Sequence, residues 1–186
     1  LTKDLIRYKL DALLKFCLKF KEKPLIHIAG LNPHAGEEGK IGIEEQKLII
    51  PIVNEWKSDH PTIQISGPIP PDTCWMSASD AWNGKLNNNA PDGILAMYHD
   101  QGLAPFKALS FGHGVNFTAG LPIVRTSPDH GTGFDIAGKN EASANSIRSA
   151  IFLATDIRRN RLNFRDISNN PLKTAPPKRD YRDSRR

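Results

Sequence analysis

The sequence is poor in cysteine and contains no long apolar run. Only two of its 186 residues are cysteines, and neither Cys17 nor Cys74 matches a metal-ligand spacing. Their apolar neighbours indicate buried, reduced thiols, as in a cytosolic protein. No apolar run approaches the roughly 20 residues that span a bilayer, and the first residues lack the pattern of a signal peptide. We therefore expect a cytoplasmic protein with no membrane as a partner.

Two further sequence features are absent. No Gly-x-Gly-x-x-Gly motif opens a helix, so the standard mode of dinucleotide binding is not supported. The sequence also lacks an initiator methionine, and Leu1 leads directly into helix-like sequence. We expect from this a partial chain that was cut from a longer protein.

The net charge of +5 is concentrated near the C-terminus. Residues 157–186 contain ten Lys or Arg and three Asp or Glu, a net charge of +7, which leaves −2 for residues 1–156. A basic tail can bind nucleic acid, but this one lacks the interleaved aromatics of a single-strand binder. We predict a folded portion at residues 1–159 and a basic, disordered tail at residues 160–186, without nucleic acid as a partner.

Hydrophobic periodicity divides residues 1–159 into alternating helices and strands. Helical spacing predicts helices at residues 4–20, 43–57 and 143–159. Apolar or alternating runs predict strands at residues 24–30, 62–66, 93–98, 115–118 and 122–126. The proline-rich residues 67–71 predict a loop. Because the strands are too apolar to be half-exposed, we predict an α/β fold with a mostly parallel sheet and flanking helices.

Polar side chains follow two of the predicted strands. His34 follows the first strand, and His99 and Asp100 follow a later one. Ligands of open α/β sheets bind beyond the carboxyl ends of the strands, and imidazoles are natural ligands of divalent metals. The alternative is that each histidine caps its strand end by hydrogen bonding, and the sequence leaves both interpretations open.

Three other polar residues lie close to glycines or short strands, namely Lys107, Asn116 and Arg125. In one pocket they would suit a phosphorylated, hydroxylated substrate, because Arg binds phosphate through two N–H groups and Lys adds a compact positive charge. Taken singly, each is equally well a surface charge or a turn residue. The glycine-rich stretch at residues 129–139 allows its backbone to approach a ligand closely.

Four motifs occur in order along the chain: Gly30-Leu-Asn-Pro-His-Ala-Gly-Glu37, Ala96-Met-Tyr-His-Asp-Gln-Gly102, Gly114-Val-Asn116 and Arg125-Thr-Ser-Pro-Asp-His-Gly-Thr132. Together they resemble the 4-hydroxythreonine-4-phosphate dehydrogenase family, over roughly residues 1–159. The stretch at residues 129–139 is also similar to a loop of isocitrate and isopropylmalate dehydrogenases. The resemblance implies that wider fold, in which two α/β domains bind a dinucleotide without a Rossmann motif, and of which this chain would hold an incomplete part.

The resemblance also implies a metal site. In the family, three histidines bind one divalent cation (Zn, Co or Mg), and two subunits of a homodimer share the site. His34 and His99 match two of these ligands. The third ligand and a substrate-binding His-Thr pair are expected upstream of Leu1.

The resemblance assigns the remaining site residues as well. Substrate contacts fall on Lys107, Asn116 and Arg125. Contacts with the adenosine half of NAD or NADP fall on His130, Gly131 and Thr132. The general base is not identified.

The implied reaction oxidises 4-phosphooxy-L-threonine to 2-amino-3-oxo-4-phosphooxybutanoate with NAD or NADP. That product decarboxylates to 3-amino-2-oxopropyl phosphate in pyridoxal phosphate biosynthesis. The alternative is a truncated, inactive remnant or a non-catalytic interaction module of the same fold, because two histidines alone would hold a metal weakly.

Overall fold

A three-stranded parallel sheet organises the first half of the chain. The computed structural model describes residues 1–85, 89–169 and 171. Strand β1 (Leu25–Ala29) lies between β2 (Gln64–Ile69) and β3 (Gly93–Leu95). Because all three strands run in the same direction, their carboxyl ends meet at one edge of the sheet. This confirms the predicted α/β class with a mostly parallel sheet.

Two helices pack against the sheet and against each other. Helix α1 (Lys3–Cys17) contacts β3, and α2 (Ile50–Asp59), which follows a π-helical turn at Glu45–Ile49, contacts β2. The Trp56 indole, fully buried, donates a hydrogen bond of 2.7 Å to Asp11. The hydrophobic core consists of Ile6, Leu10, Leu14, Ile26, Ile28, Ile49, Ile52, Val53, Trp56, Ile63 and Ile65.

Beyond β2, the described residues also form three α-helices and an antiparallel ribbon. The helices are α3 (Met76–Trp82), α4 (His99–Ser110) and α5 (Asn145–Asn169). The ribbon consists of β4 (Val115–Phe117) and β5 (Thr126–Pro128). Helix α5 packs on this ribbon, and the Thr126 hydroxyl donates to the Ala150 carbonyl at 2.9 Å.

Three elements correct the prediction from sequence. Helix α4 was not predicted, because Gly102 and Pro105 interrupt the helical pattern. The strand predicted at residues 122–126 is instead β5, which begins at Thr126. Strand β2 continues through residues 67–69, which were predicted as a loop.

The predicted boundary between the folded portion and the tail is also corrected. Helix α5 was expected to end at Arg159 but continues to Asn169. Residues 160–169 are therefore helical rather than disordered. The rest of the predicted tail, except residue 171, lies outside the described residues.

Both cysteines are buried and unpaired, as predicted. Burial raises the pKa of the Cys74 thiol to about 11, so this thiol is protonated at neutral pH. The Cys17 sulfur lies 3.7 Å from the Asp92 carbonyl oxygen. Among the described residues, no helix combines the length and the apolar character that crossing a membrane requires.

Replacing Leu10 by alanine should lower the free energy of unfolding by about 2–5 kcal/mol, because a fully buried side chain leaves a cavity. Urea denaturation measures this change. Tyr8→Ala on the same helix is the control, since the Tyr8 side chain is 67% exposed and its removal should have little effect. An equal loss of unfolding free energy in the two variants would contradict the described orientation of α1.

Candidate functional site

The carboxyl edge of the parallel sheet carries both predicted metal-binding histidines. His34 lies in the turn at Pro33–Gly39 after β1, and His99 is the first residue of α4 after β3. The turn is left-handed, with φ between 42° and 84° at residues 34–38. A Cβ at Gly36 would lie 2.7 Å from the Gly42 carbonyl oxygen, so the turn requires glycine at this position.

A buried carboxylate holds the start of this turn. Glu45 is 1% exposed, and its Oε1 accepts hydrogen bonds from the backbone N–H groups of Leu31 and Asn32, at 2.7 and 2.8 Å. Its Oε2 accepts a further bond of 2.8 Å from the Asn32 side-chain amide. Burial alone would raise the pKa of Glu45, but these hydrogen bonds outweigh burial and lower it. Glu45 is therefore a buried anion that fixes the backbone leading to His34.

A buried amide joins the same segment to the start of α4. The Gln101 Nε2 donates to the Gly30 carbonyl at 2.7 Å, and its Oε1 accepts from the Met97 N–H at 2.7 Å. Gly30 directly follows β1 and Met97 lies two residues after β3, so Gln101 bridges the two strand ends that precede His34 and His99.

The ring of His99 is exposed, and its Nδ1 lies 2.7 Å from a carboxylate oxygen of Asp100. This contact orients the ring and leaves Nε2 available to a ligand. In the described part of the chain, His34 makes no side-chain hydrogen bond to the end of its strand. The two histidines are thus not strand caps, which was the alternative that the sequence left open.

A cleft of about 1200 Å³ brings together four of the predicted site residues. Its walls come from β3, α4, the β4–β5 ribbon and the start of α1. The predicted site residues that line it are His99, Lys107, Asn116 and His130. His34 lines a neighbouring cleft of about 340 Å³, and Tyr98 lies in the walls of both. The two histidines therefore face adjoining space at the carboxyl edge of the sheet.

The glycine-rich loop after β5 lines a further cavity of about 450 Å³. The three predicted cofactor residues His130, Gly131 and Thr132 all belong to it, and His130 also lines the large cleft. Ser146, which is buried at the start of α5, supports this loop. Its hydroxyl donates to the Gly114 carbonyl at 2.6 Å and accepts from the Asp129 N–H at 3.0 Å.

Arg125 occupies a different position from the other predicted substrate residues. It lies just before β5, is exposed, and donates a hydrogen bond of 2.8 Å to the Thr118 hydroxyl. It is absent from the described walls of the large cleft. A contact between Arg125 and a ligand in that cleft would require the side chain to leave Thr118.

The donor set suits a divalent cation only in part. Two imidazoles near one sheet edge, one of them oriented by a carboxylate, are chemically suitable ligands. Within residues 1–85, 89–169 and 171, however, no three His, Cys, Asp or Glu side chains lie close enough together to hold a metal ion. A stable site would therefore need a ligand from outside this group.

Comparison with known proteins decides the family. The model of the family named pyridoxal phosphate biosynthetic protein PdxA matches residues 1–154. The chain belongs to the PdxA family. This confirms the resemblance inferred from the four motifs.

Two curated relatives show how much of a PdxA-family protein this chain represents. It is 48% identical over 158 residues to 4-hydroxythreonine-4-phosphate dehydrogenase from Synechococcus sp. (strain RCC307), covering 84% of this chain and 48% of the relative. It is 49% identical over 176 residues to the enzyme of the same name from Bacteroides thetaiotaomicron, covering 93% of this chain and 45% of the relative. The chain spans about half the length of these curated relatives.

A solved structure of the same family has a similar fold. The crystal structure of 4-hydroxythreonine-4-phosphate dehydrogenase from Klebsiella pneumoniae superposes with a TM-score of 0.69 at 40% identity. The match covers 83% of this chain and 44% of the solved chain. The α/β architecture of this PdxA-family chain is therefore that of the family.

Sequence reasoning missed the three buried polar side chains that support the site: Glu45, Gln101 and Ser146. Glu45 interrupts the apolar face of the helix predicted at residues 43–57, which is a weak sequence signal. Gln101 occupies the third position of its helix, where Gln commonly bonds back to the backbone before the helix. Apart from Met97, which bonds to Gln101, their partners lie at least 13 residues away in sequence, which no local pattern reveals.

Replacing Glu45 by glutamine should lower the free energy of unfolding by about 1–3 kcal/mol at pH 7. A glutamine amide would turn an N–H donor toward the backbone N–H groups of Leu31 and Asn32 or toward the Asn32 amide. The stabilisation by Glu45 is complete above its ordinary pKa of about 4.3 and is lost as the pH falls through its lower folded-state pKa. Acidification should therefore destabilise the natural protein more steeply than the variant.

Urea denaturation at a series of pH values measures both effects. Glu22→Gln, the same chemical change at an exposed position, should leave the unfolding free energy and its pH dependence unchanged. A Glu45→Gln variant as stable as the natural protein at pH 7 would refute the role of the carboxylate.

Proposed function

We propose that the protein containing this chain oxidises 4-phosphooxy-L-threonine with NAD or NADP. The product, 2-amino-3-oxo-4-phosphooxybutanoate, would then decarboxylate to 3-amino-2-oxopropyl phosphate in pyridoxal phosphate biosynthesis. The observation that supports this most strongly is the cleft that His99, Lys107, Asn116 and His130 line together. These residues come from three of the four family motifs and from α4, and they provide groups for a metal, a substrate and a cofactor.

His34 and His99 would hold a divalent cation (Zn, Co or Mg) at the carboxyl edge of the sheet. Such a cation would lower the pKa of the substrate hydroxyl and favour its deprotonation before hydride loss. Asp100 holds the His99 ring through Nδ1 and so presents Nε2 to the site. Because the described residues supply no third ligand group, we propose that the site is completed in a homodimer with a shared active site.

The substrate phosphate and the cofactor would occupy opposite ends of the cleft. Lys107 would neutralise phosphate charge, Asn116 would bond a polar substrate group, and Arg125 would add a bidentate contact after releasing Thr118. The loop with His130, Gly131 and Thr132 would contact the adenosine half of NAD or NADP, which accepts the hydride at its nicotinamide. Holding both molecules in one cleft fixes the reacting carbon near the nicotinamide and supplies much of the rate enhancement.

The first test is metal-dependent turnover in the full-length protein. His99→Ala should abolish NADH or NADPH formation from 4-phosphooxy-L-threonine in the presence of Zn²⁺, Co²⁺ or Mg²⁺, while the protein stays folded. The physical reason is that the variant removes one of two imidazoles from a site already short of ligands. His113→Ala is the matched control, because His113 is exposed and lies outside the described walls of the cleft.

Full activity of His99→Ala would refute the assigned metal role. If the natural protein shows no turnover and yet binds NAD or NADP, the non-catalytic alternative is favoured instead, in which the fold is kept as an interaction module.

A second test compares the contributions of Lys107 and Arg125 to substrate binding. Lys107→Ala should raise the dissociation constant of the phosphorylated substrate by about tenfold or more, because it removes a charge-assisted contact from the cleft. Arg125→Ala should have a smaller effect, since part of the contact energy is spent on breaking the bond to Thr118. Titration calorimetry on the full-length protein measures both constants, with NAD or NADP binding as the control. A larger effect at Arg125 would show that breaking its bond to Thr118 costs little and that Arg125, rather than Lys107, is the main phosphate contact.

A further inference from the structure

The buried amide of Gln101 makes two hydrogen bonds that belong to two different strand ends. Its side chain is 7% exposed. The Gly30 carbonyl can only accept and the Met97 N–H can only donate, so the two partners fix which end of the amide faces which strand. Both bonds are 2.7 Å long. A buried amide with both groups satisfied in this way has little freedom to rotate.

The two backbone groups that Gln101 joins lie a few residues before the two histidines, four before His34 and two before His99. Gly30 is followed by Leu31 and Asn32, whose backbone N–H groups donate hydrogen bonds to Glu45. These residues lead into the turn with His34. Met97 precedes Tyr98 and His99. The β1–β3 pairing ends at Leu95, and beyond it Leu31 and Met97 both pack against the hydrophobic core. Gln101 adds a direct hydrogen-bonded link between the two segments.

We infer that Gln101 is a positioning residue that sets the separation of His34 and His99, and with it the affinity of the site for a divalent cation. The inference rests on the proposed function, in which these two histidines hold the cation. Gln101 contacts neither histidine and acts through the backbone of both strand ends. Residues that support metal ligands in this indirect way typically change metal affinity or activity by about 10–100-fold when they are replaced.

A purely local role would make a different prediction. Gln101 is the third residue of α4, and its bond to the Met97 N–H resembles a helix-capping contact. Glutamate performs that capping contact as well as glutamine does. It cannot donate to the Gly30 carbonyl when it is ionised, so it keeps the helix cap but loses the bridge between the strands.

The decisive variant is therefore Gln101→Glu in the full-length protein, with Gln101→Leu as the variant that loses both bonds. The natural protein and each variant are titrated with Co²⁺, whose visible absorption reports its coordination geometry, and the dissociation constant is measured. Gln64→Leu is the matched control, because Gln64 is exposed on β2. Thermal unfolding checks that each variant is folded, and steady-state kinetics separate kcat from KM.

We expect both Gln101 variants to bind Co²⁺ about 10–100-fold more weakly and with an altered spectrum, and to lose kcat with little change in the KM for NAD or NADP. The KM for NAD or NADP should be preserved because the loop at residues 130–132 is supported by Ser146 rather than by Gln101. If Gln101→Leu does not fold, Gln101→Glu alone decides.

Co²⁺ binding by folded Gln101→Glu that matches the natural protein would overturn the inference and reduce Gln101 to a helix cap. A failure of the proposed metal role would give a different result, because His99→Ala would then bind Co²⁺ as tightly as the natural protein does. Loss of binding in His99→Ala but not in Gln101→Glu therefore refutes the positioning role alone.

Discussion

The backbone just after β1 is the point on which the candidate site depends. There the chain leaves the sheet: the Gly30 N–H still donates to the Ile69 carbonyl of β2 at 2.7 Å, but the Gly30 carbonyl and the next two N–H groups bond to side chains instead. Unpaired buried groups of this kind cost about 1–3 kcal/mol each. Glu45 and Gln101 supply the missing acceptor and donor at Gly30, Leu31 and Asn32. The left-handed turn with His34 is tolerated because this hydrogen bonding fixes the chain on its N-terminal side.

The elements that carry the core could be predicted from sequence because each buries one continuous apolar face. Helix α1, strand β1 and helix α2 were all located in this way, and their buried residues form the core. Helix α4 could not be located from an apolar face, because its only buried residues are Gln101 and Ser110. It also contains Pro105. Strand β5 was misplaced because the apolar residues around Ile123 are exposed rather than buried. Apolar patterning fails where an element is held by polar contacts.

The same distinction separates the site residues that were predicted from those that were missed. His99, Lys107 and Asn116 were chosen for their own chemistry and His130 through the family resemblance, and the structure brings all four to one cleft. Glu45, Gln101 and Ser146 hold the backbone around the site, and their hydrogen-bond partners lie 4 to 71 residues away in sequence. Arg125 shows the converse problem: its chemistry suits a phosphate, but its hydrogen bond to Thr118 holds it outside the cleft walls. Residue type predicts what a side chain can bind, and only the fold determines where it points.

Helix α4 would let the proposed metal site and the proposed phosphate site share a single cleft. His99 and Lys107 are the first residue and a last-turn residue of the same helix, so about 12 Å of helix axis separates their Cα atoms along it. Both residues line the cleft, so the helix would set the distance over which the proposed substrate extends. As a loop, residues 99–110 would impose no such spacing. The helix that periodicity missed is thus the element that fixes the spacing for the proposed substrate, and Gln101 in its first turn connects that spacing to β1.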